Sequence, residues 1–255
     1  MPTFNSFLRG GRAVAGNSLD PRSRRANTAQ ADTYWSGVSG GGPNAIGGIG
    51  ASVATGSGYR YLQFNSTGAL TVTGAGSFEF YIFGGGGGGS SANGYNGFSQ
   101  GGFAGGNTTV TKTLSPGTYT VTIGGGGAGN AAFTNGAAGT DSYFDTDTTN
   151  KGTGGAGGVT GASGGRLNVA GAAGTDVSPF IGGSTLFKGA GGGSAVADGG
   201  SSIGGNGRTY PTAATSAAAN TASGGGGANA DGLPNFNLLT SGSGGTGIVY
   251  VRWVA

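Results

Sequence analysis

Glycine constrains this chain more than any other feature. Sixty-five of its 255 residues are glycine, gathered into runs such as Gly84–Gly89, Gly124–Gly127, Gly191–Gly193 and Gly224–Gly227 between short segments rich in Val, Thr and aromatics. Ordering glycine costs more backbone entropy than ordering any other residue. A fold that orders many of them must gain what only glycine allows, backbones packing on one another with no Cβ between. Leu, Ile, Val and Phe number only 43, too few for an ordinary oily core. Charged residues are 8%, too few to keep the chain solvated as a disordered polyelectrolyte. Backbone amides must therefore carry much of the cohesion. Collagen is excluded, because glycine does not recur at every third position and there are only seven prolines.

Cysteine and histidine are absent. That removes thiolate and imidazole metal sites, the usual nucleophilic triads, imidazole acid–base chemistry and disulfides. Oligomerisation is then an expected source of stability, with an assembly of identical copies, a trimer among the options, fitting the composition. The first sixteen residues lack an uninterrupted apolar signal segment and no stretch approaches the ~20 apolar residues of a membrane span. A soluble chain with no cleaved signal and no membrane insertion is expected.

Residues 1–57 hold Arg9, Arg12, Arg22, Arg24 and Arg25 against Asp20 and Asp32, whereas residues 58–255 balance seven basic and seven acidic side chains. All the net charge of +3 therefore sits in a basic N-terminal arm. Such an arm is either a solvated tail or a docking peptide for an acidic partner surface. No RNA-binding aromatic signature or helix-turn-helix pattern supports a nucleic-acid partner.

From Tyr59 the pattern has period two. Tyr59–Phe64, Ala69–Thr73 and Ser77–Phe83 alternate, the last placing Phe78, Phe80 and Ile82 on one face, and together they predict a β-meander. Thr108–Leu114, the turn Ser115-Pro116-Gly117 and Thr118–Ile123 predict a hairpin. Ile248–Trp253 is apolar almost throughout, as a central strand would be, so the C-terminus returns to the sheet. Between Ile123 and Ile248 lie glycine clusters and isolated anchors (Phe133, Phe144, Val159, Leu167, Phe180, Ile181, Phe187, Ile203 and Phe236) with no helical period. A structureless loop of that length does not suit a compact domain. Extended polyglycine-type segments with three residues per turn, bonded to their neighbours, do. The expected fold is all-β: a small antiparallel core over residues 58–123, closed by a C-terminal strand in 244–255. A polyglycine-II-like layered insert spans 124–243 and an extended arm spans 1–57.

Three junctions carry a family resemblance: Phe78–Gly89, Leu114–Gly129 and Gly242–Trp253. Together they resemble the glycine-rich domain found in tail fibres and adhesins of tailed bacteriophages, marine and cyanobacterial ones above all, over residues 59–254. The resemblance implies a non-enzymatic virion protein, a tail fibre or tail-tip adhesin contacting a host cell-surface glycan or protein. A purely structural role, as head decoration, head fibre or tail adaptor, is the alternative. The arm, which the resemblance does not cover, would dock onto other virion proteins through its five arginines.

Phosphate-binding glycine loops need a Gly-Lys-Ser/Thr run or a strand–loop–helix context, and neither occurs. No catalytic residue, cofactor or metal is assigned. Asp141, Asp145, Asp147 and Asn150 form an oxygen-rich stretch, but it lacks the glycine and closing glutamate of a calcium loop. Aromatic side chains in polar loops stack on sugar rings. By that criterion Tyr95, Phe98, Tyr143, Phe144 and Tyr210 are the candidate receptor contacts, unless they anchor their loops onto the glycine layers.

Overall fold

The computed structural model describes residues 42–54, 58–92, 98–131, 133–161, 168–230 and 239–255. Ten strands build two five-stranded sheets. They are β1 (Asn44–Gly47), β2 (Ile49–Ala54), β3 (Tyr59–Phe64), β4 (Gly68–Gly74), β5 (Gly76–Phe83), β6 (Asn107–Leu114), β7 (Gly117–Thr122), β8 (Ser142–Phe144), β9 (Asp147–Gly152) and β10 (Ile248–Val254). One sheet runs β1-β4-β7-β8-β9, the other β2-β3-β10-β5-β6, and all these pairings are antiparallel.

Alternation explains the packing. Phe78, Phe80 and Ile82 of β5, Val249, Val251 and Trp253 of β10, and Leu62 and Phe64 of β3 point inward from one sheet. Leu70, Val72, Val121 and Phe144 point inward from the other, and all belong to a single buried cluster. Placing β10 between β3 and β5 sets Val249 beside both Phe64 and Ile82, and Val251 beside both Leu62 and Phe80. The C-terminal strand is thus central, as its apolar sequence requires. The outer face of this sheet carries Phe83, Ile248 and Tyr250, covered by Val177, Phe180 and Ile181 of and beside a single helical turn, α1 (Ser178–Ile181). Arg252 pairs with Glu79 at 2.5 Å. Its guanidinium lies between the rings of Tyr59 and Phe180, 4.5 and 4.1 Å from their centroids, and donates to the Phe180 carbonyl. This cation–π sandwich pins α1 to the sheet. Among the described residues, no helix is long and apolar enough to cross a membrane.

Three expectations need correction. The stretch 59–83 is not a meander: β4 belongs to the opposite sheet from β3 and β5. Ala75 alone separates β4 from β5, too short for a hairpin, so the chain crosses between layers. Likewise β6 and β7 pair with other strands rather than with each other. Ser115-Pro116 forms an arch that sets Leu114 and Val121 in the shared core from opposite sheets. Finally, β1 and β2 fall within the stretch assigned to the arm, so residues 44–54 belong to the sandwich. The arginines Arg9, Arg12, Arg22, Arg24 and Arg25 lie outside the described residues.

The glycine runs continue the strands as a lattice. From Gly84 to Ser91 the backbone N–H groups serve three neighbours in rotation. Gly84, Gly87 and Ser90 donate to Gly106, Phe103 and Gln100; Gly85, Gly88 and Ser91 to Thr140, Ala137 and Thr134; Gly86 and Gly89 to Gly245 and Gly242, all at 2.8–3.1 Å. Its carbonyls accept from three further segments: Gly85 and Gly88 from Gly155 and Gly158, Gly86 from Gly127, Gly87 and Ser90 from Gly225 and Ala228. A three-residue rotation with six neighbours is the signature of polyglycine II in hexagonal array. Thr221–Ala230 is the second enclosed segment. It donates to the segments at 190–193, 87–92 and 215 and, through Ala222, to Thr246, and it accepts from those at 102–105, 205–210 and 242–245 and from Gly189. Both segments are buried throughout. A Cβ on Gly86 would stand 2.0 Å from the Ser223 carbonyl oxygen, and one on Gly225 2.1 Å from that of Gly242. Larger residues occur where a ridge faces outward, as at Ala128, Ala137 and Ala156, which are exposed. Of the isolated anchors, Phe180 and Ile181 are buried, whereas Val159 and Phe187 remain exposed.

Two outcomes follow from this packing. Ile82→Asp, which puts a charge at a position with no solvent access, is expected to cost about 4 kcal/mol or more and prevent folding. Thr113→Asp, on an exposed site of β6 opposite exposed Ser77, should shift stability by about 0.5 kcal/mol or less. Equal thermal melts would refute the sheet assignment. In the lattice, Gly86→Ala and Gly225→Ala should each destabilise by about 1–3 kcal/mol or more. Gly125→Ala, whose new methyl meets only the Thr140 hydroxyl at 3.8 Å, should be neutral or slightly stabilising. Denaturant midpoints that do not separate these variants would reduce the glycine runs to linkers.

Candidate functional site

The lattice has two ends of different character. At one end its segments join strands: Gly84 follows β5, Thr153 follows β9 and Gly247 precedes β10. At the other end, eight residues or about 25 Å away at ~3.1 Å per residue, the segments give way to short ladders. Arg208–Thr209, Ala228–Asn229 and Ser91–Ala92 pair in parallel, and Phe98–Ser99 pairs with Thr160–Gly161.

Two of the five aromatic candidates share this far end. Phe98 is half-buried on its ladder. Tyr210 is 39% exposed, and its N–H donates to the Asn229 carbonyl at 3.0 Å. Tyr95 lies outside the described residues. Tyr143 and Phe144 sit instead at the sandwich, on β8 beside Thr122 and Val121. Tyr143 is half-buried. The Phe144 ring packs 4.3 Å from that of Phe80 and 5.6 Å from that of Tyr119, so it is a core residue that offers no face to a ligand. Alternation along β8 turns it inward, and an isolated aromatic beside acidic residues gave no hint of that strand.

The far end also concentrates unusual polar groups. Among the described residues, Ser91 Oγ, Ser99 Oγ, Thr209 Oγ1 and both amide atoms of Asn229 are buried without a hydrogen-bond partner, the only other such atom being Tyr250 Oη. An unpaired buried polar atom costs about 1–3 kcal/mol, so this end is less well satisfied than the lattice body. There serine and threonine hydroxyls complete the network: Ser241 Oγ donates to Gly89, Ser142 Oγ accepts from Gly124 and Ser223 Oγ accepts from Ala190. Sequence alone offers no signal for these assignments, because small polar residues look alike inside and outside the lattice.

The acidic stretch is used internally. Asp147 accepts from Lys112 at 2.5 Å and from Asn150 at 2.9 Å, and its other oxygen takes the N–H groups of Thr149 and Asn150. Since Lys112 is on β6 and Asp147 on β9, this pair joins edge strands of the two sheets. Asp141 pairs with Lys151 and accepts from Gly154. Asp145 occupies a tight turn at φ 53°. The Lys112 hydrogen bond, reinforced by Asn150, holds the Asp147 carboxyl well below the usual range, and the Lys151 hydrogen bond followed by Gly154 lowers that of Asp141. Asp176 is lowered by the N–H groups of Ser178 and Leu186. Among the described residues, no group of three or more acidic side chains is placed to hold a metal.

Fold and lattice together define an all-β protein organised around polyglycine segments. A family model described as a glycine-rich domain matches residues 65–254, and the chain belongs to that family. Comparison with curated proteins gives no match.

The aspartates set a direction for pH dependence. Their folded pKa values lie below the unfolded value of about 3.9, so their contribution is present above that pH and is lost as pH falls through the folded values. The melting temperature should be nearly flat from about pH 7 to 5 and drop below about pH 4. Asp147→Asn should melt lower than wild type at neutral pH, with the gap closing below about pH 3. A gap that persists into strong acid would mean that Asp147 acts through packing rather than charge.

Proposed function

We propose that this protein is a virion component of a tailed bacteriophage, a tail fibre or tail-tip adhesin that binds the host surface without chemistry. The supporting observation is the division of the molecule along the lattice. A sandwich closes one end, a backbone-bonded body of about 25 Å extends from it, and the short ladders that carry Phe98 and lead into the exposed Tyr210 stand at the other end. Loops on a rigid scaffold are where recognition is ordinarily placed, and glycan or protein contact suits aromatics among Asn and Thr. The family resemblance of the strand–glycine junctions supports the phage setting. The basic arm is read as the attachment segment for other virion proteins, with electrostatic complementarity selecting its partner.

Because β1 and β2 lie within residues 44–54, the separating truncation removes residues 1–41. This variant should keep the melting temperature and host-cell binding of the full chain and fail to enter virions. Tyr210→Ala should weaken binding of the purified chain to host cells about tenfold or more with no change in melting temperature. Incorporation of the truncated chain at wild-type copy number would refute the docking role. Full-length protein that binds no host cell would move the reading to a structural virion component.

A further inference from the structure

A cleft of about 400 Å³ opens on the flank of the lattice, with Asp198, Ser202, Ile203, Asn206, Thr215, Ser216 and Ala218 in its wall. That volume is at the small end of the ~300–1,000 Å³ range of small-molecule sites. Hydrogen bonds fix the walls. Ala218 donates to the Ile203 carbonyl at 2.9 Å and Thr215 to that of Asn206 at 3.0 Å, while Asn206 N–H donates to Thr215 Oγ1 at 2.8 Å. The Asn206 side-chain oxygen is occupied by the Gly199 N–H at 2.8 Å, which leaves its NH₂ as a donor. Two successive non-glycine residues, Ser201 and Ser202, hold left-handed φ values of 46° and 56°. Ser201 is pinned by accepting from Gly174, so Ser202 is presented by a conformation that L-residues seldom adopt.

The side-chain polar groups of this wall are the hydroxyls of Ser202, Thr215 and Ser216, a carboxylate and an amide NH₂, beside the aliphatic Ile203 and Ala218. Ser216 Oγ accepts from Ser243 N–H and retains its own proton to donate. Such mixed donors and acceptors next to an aliphatic patch match a ring that carries hydroxyls on its edge and C–H groups on its face. Among the described residues, no Lys or Arg lines the cleft, and Arg208 beside it pairs with the Asp198 carboxylate at 3.5 Å. The wall therefore disfavours sialic acid, uronic acid or phosphate.

We propose that this cleft is a second, lateral saccharide site that takes a neutral mono- or disaccharide, with Asp198, Ser202, Asn206 and Ser216 as its polar contacts. The choice of saccharides rests on the host-surface reading given above; the cleft and its chemistry do not depend on the Tyr210 loop acting as the cell-binding element.

The test uses the full chain and a panel of soluble glucose-, galactose- and mannose-configured mono- and disaccharides, with sialic and glucuronic acids as contrast, read by saturation-transfer NMR and titration calorimetry. At least one neutral sugar should bind saturably and neither acidic sugar should. Asp198→Asn combined with Ser202→Gly, where glycine accepts the left-handed backbone, should weaken binding about tenfold or more. Ala218→Trp should fill the cleft and abolish binding, with melting temperatures within a few degrees of wild type; Thr113→Asp, on the exposed face of the sandwich, should leave sugar binding unchanged. Absence of saturable binding by every neutral sugar, or binding that survives Ala218→Trp, overturns the proposal. Cell binding that depends on Tyr210 without any sugar binding sinks the lateral site alone. Sugar binding at the cleft in a chain that binds no cells keeps the site and sinks the tip reading.

Discussion

Everything in this molecule depends on backbones meeting without Cβ atoms between them. Each residue of Gly84–Ser91 turns its N–H to one of three neighbours, a rotation that only a three-residue helical repeat permits. The approach that makes these bonds is so close that methyls on Gly86, Gly87 or Gly88 would stand 2.0–2.1 Å from a carbonyl oxygen. A net gain of about 0.5–1.5 kcal/mol per hydrogen bond is modest. Left unpaired in a region this buried, each group would cost more, so the lattice holds together as a whole or not at all. Cohesion that would come from side chains in an ordinary domain comes here from amides, consistent with the scarcity of apolar residues.

The sandwich supplies what the lattice lacks, namely identity. A glycine segment has no side chain to specify its neighbour or register. Strands do: the inward Phe80 and Ile82 of β5 and Val249 and Val251 of β10 fix which strands lie together. The glycine segments that leave those strands inherit their positions. Lys112–Asp147 ties edge strands of the two sheets, and Arg252 with Glu79 and Phe180 seats α1. The short ladders with Phe98 and Tyr210 lie at the lattice end remote from this organising core, the end to which we assign recognition.

What the sequence revealed follows the same division. Period-two alternation marks β3 as a strand and β5 and β7 with the correct faces, and the apolar run of β10 marks it as central. Glycine layers were legible from composition, but not their bounds: Gly84–Gly106, expected within the β-core, belong to the lattice, and β8 and β9, expected within the insert over 124–243, belong to the sandwich. The sheet to which β4 and β6 belong was not legible, because alternation reports which face is buried and not what buries it. Strands β1 and β2 were missed because Ala, Gly and Ser within them carry little alternation. At the site, Tyr210 and Phe98 were recognisable as aromatics in polar loops, whereas Phe144 was turned inward by β8, a three-residue strand whose existence depends on its partners Thr122 and Val121. The lateral cleft had no sequence signal at all, since its wall is joined by backbone bonds between Ile203–Asn206 and Thr215–Ala218.

Native-state amide hydrogen exchange tests the account most directly. If the enclosed segments are a bonded lattice, the amides of Gly84–Gly89 and Gly224–Gly227 should exchange only on global unfolding, with protection equal to that of Ile82 and Val249 in the sandwich. Exchange of those glycine amides within seconds, while the sandwich amides stay protected, would show the runs to be loops and would contradict the central claim.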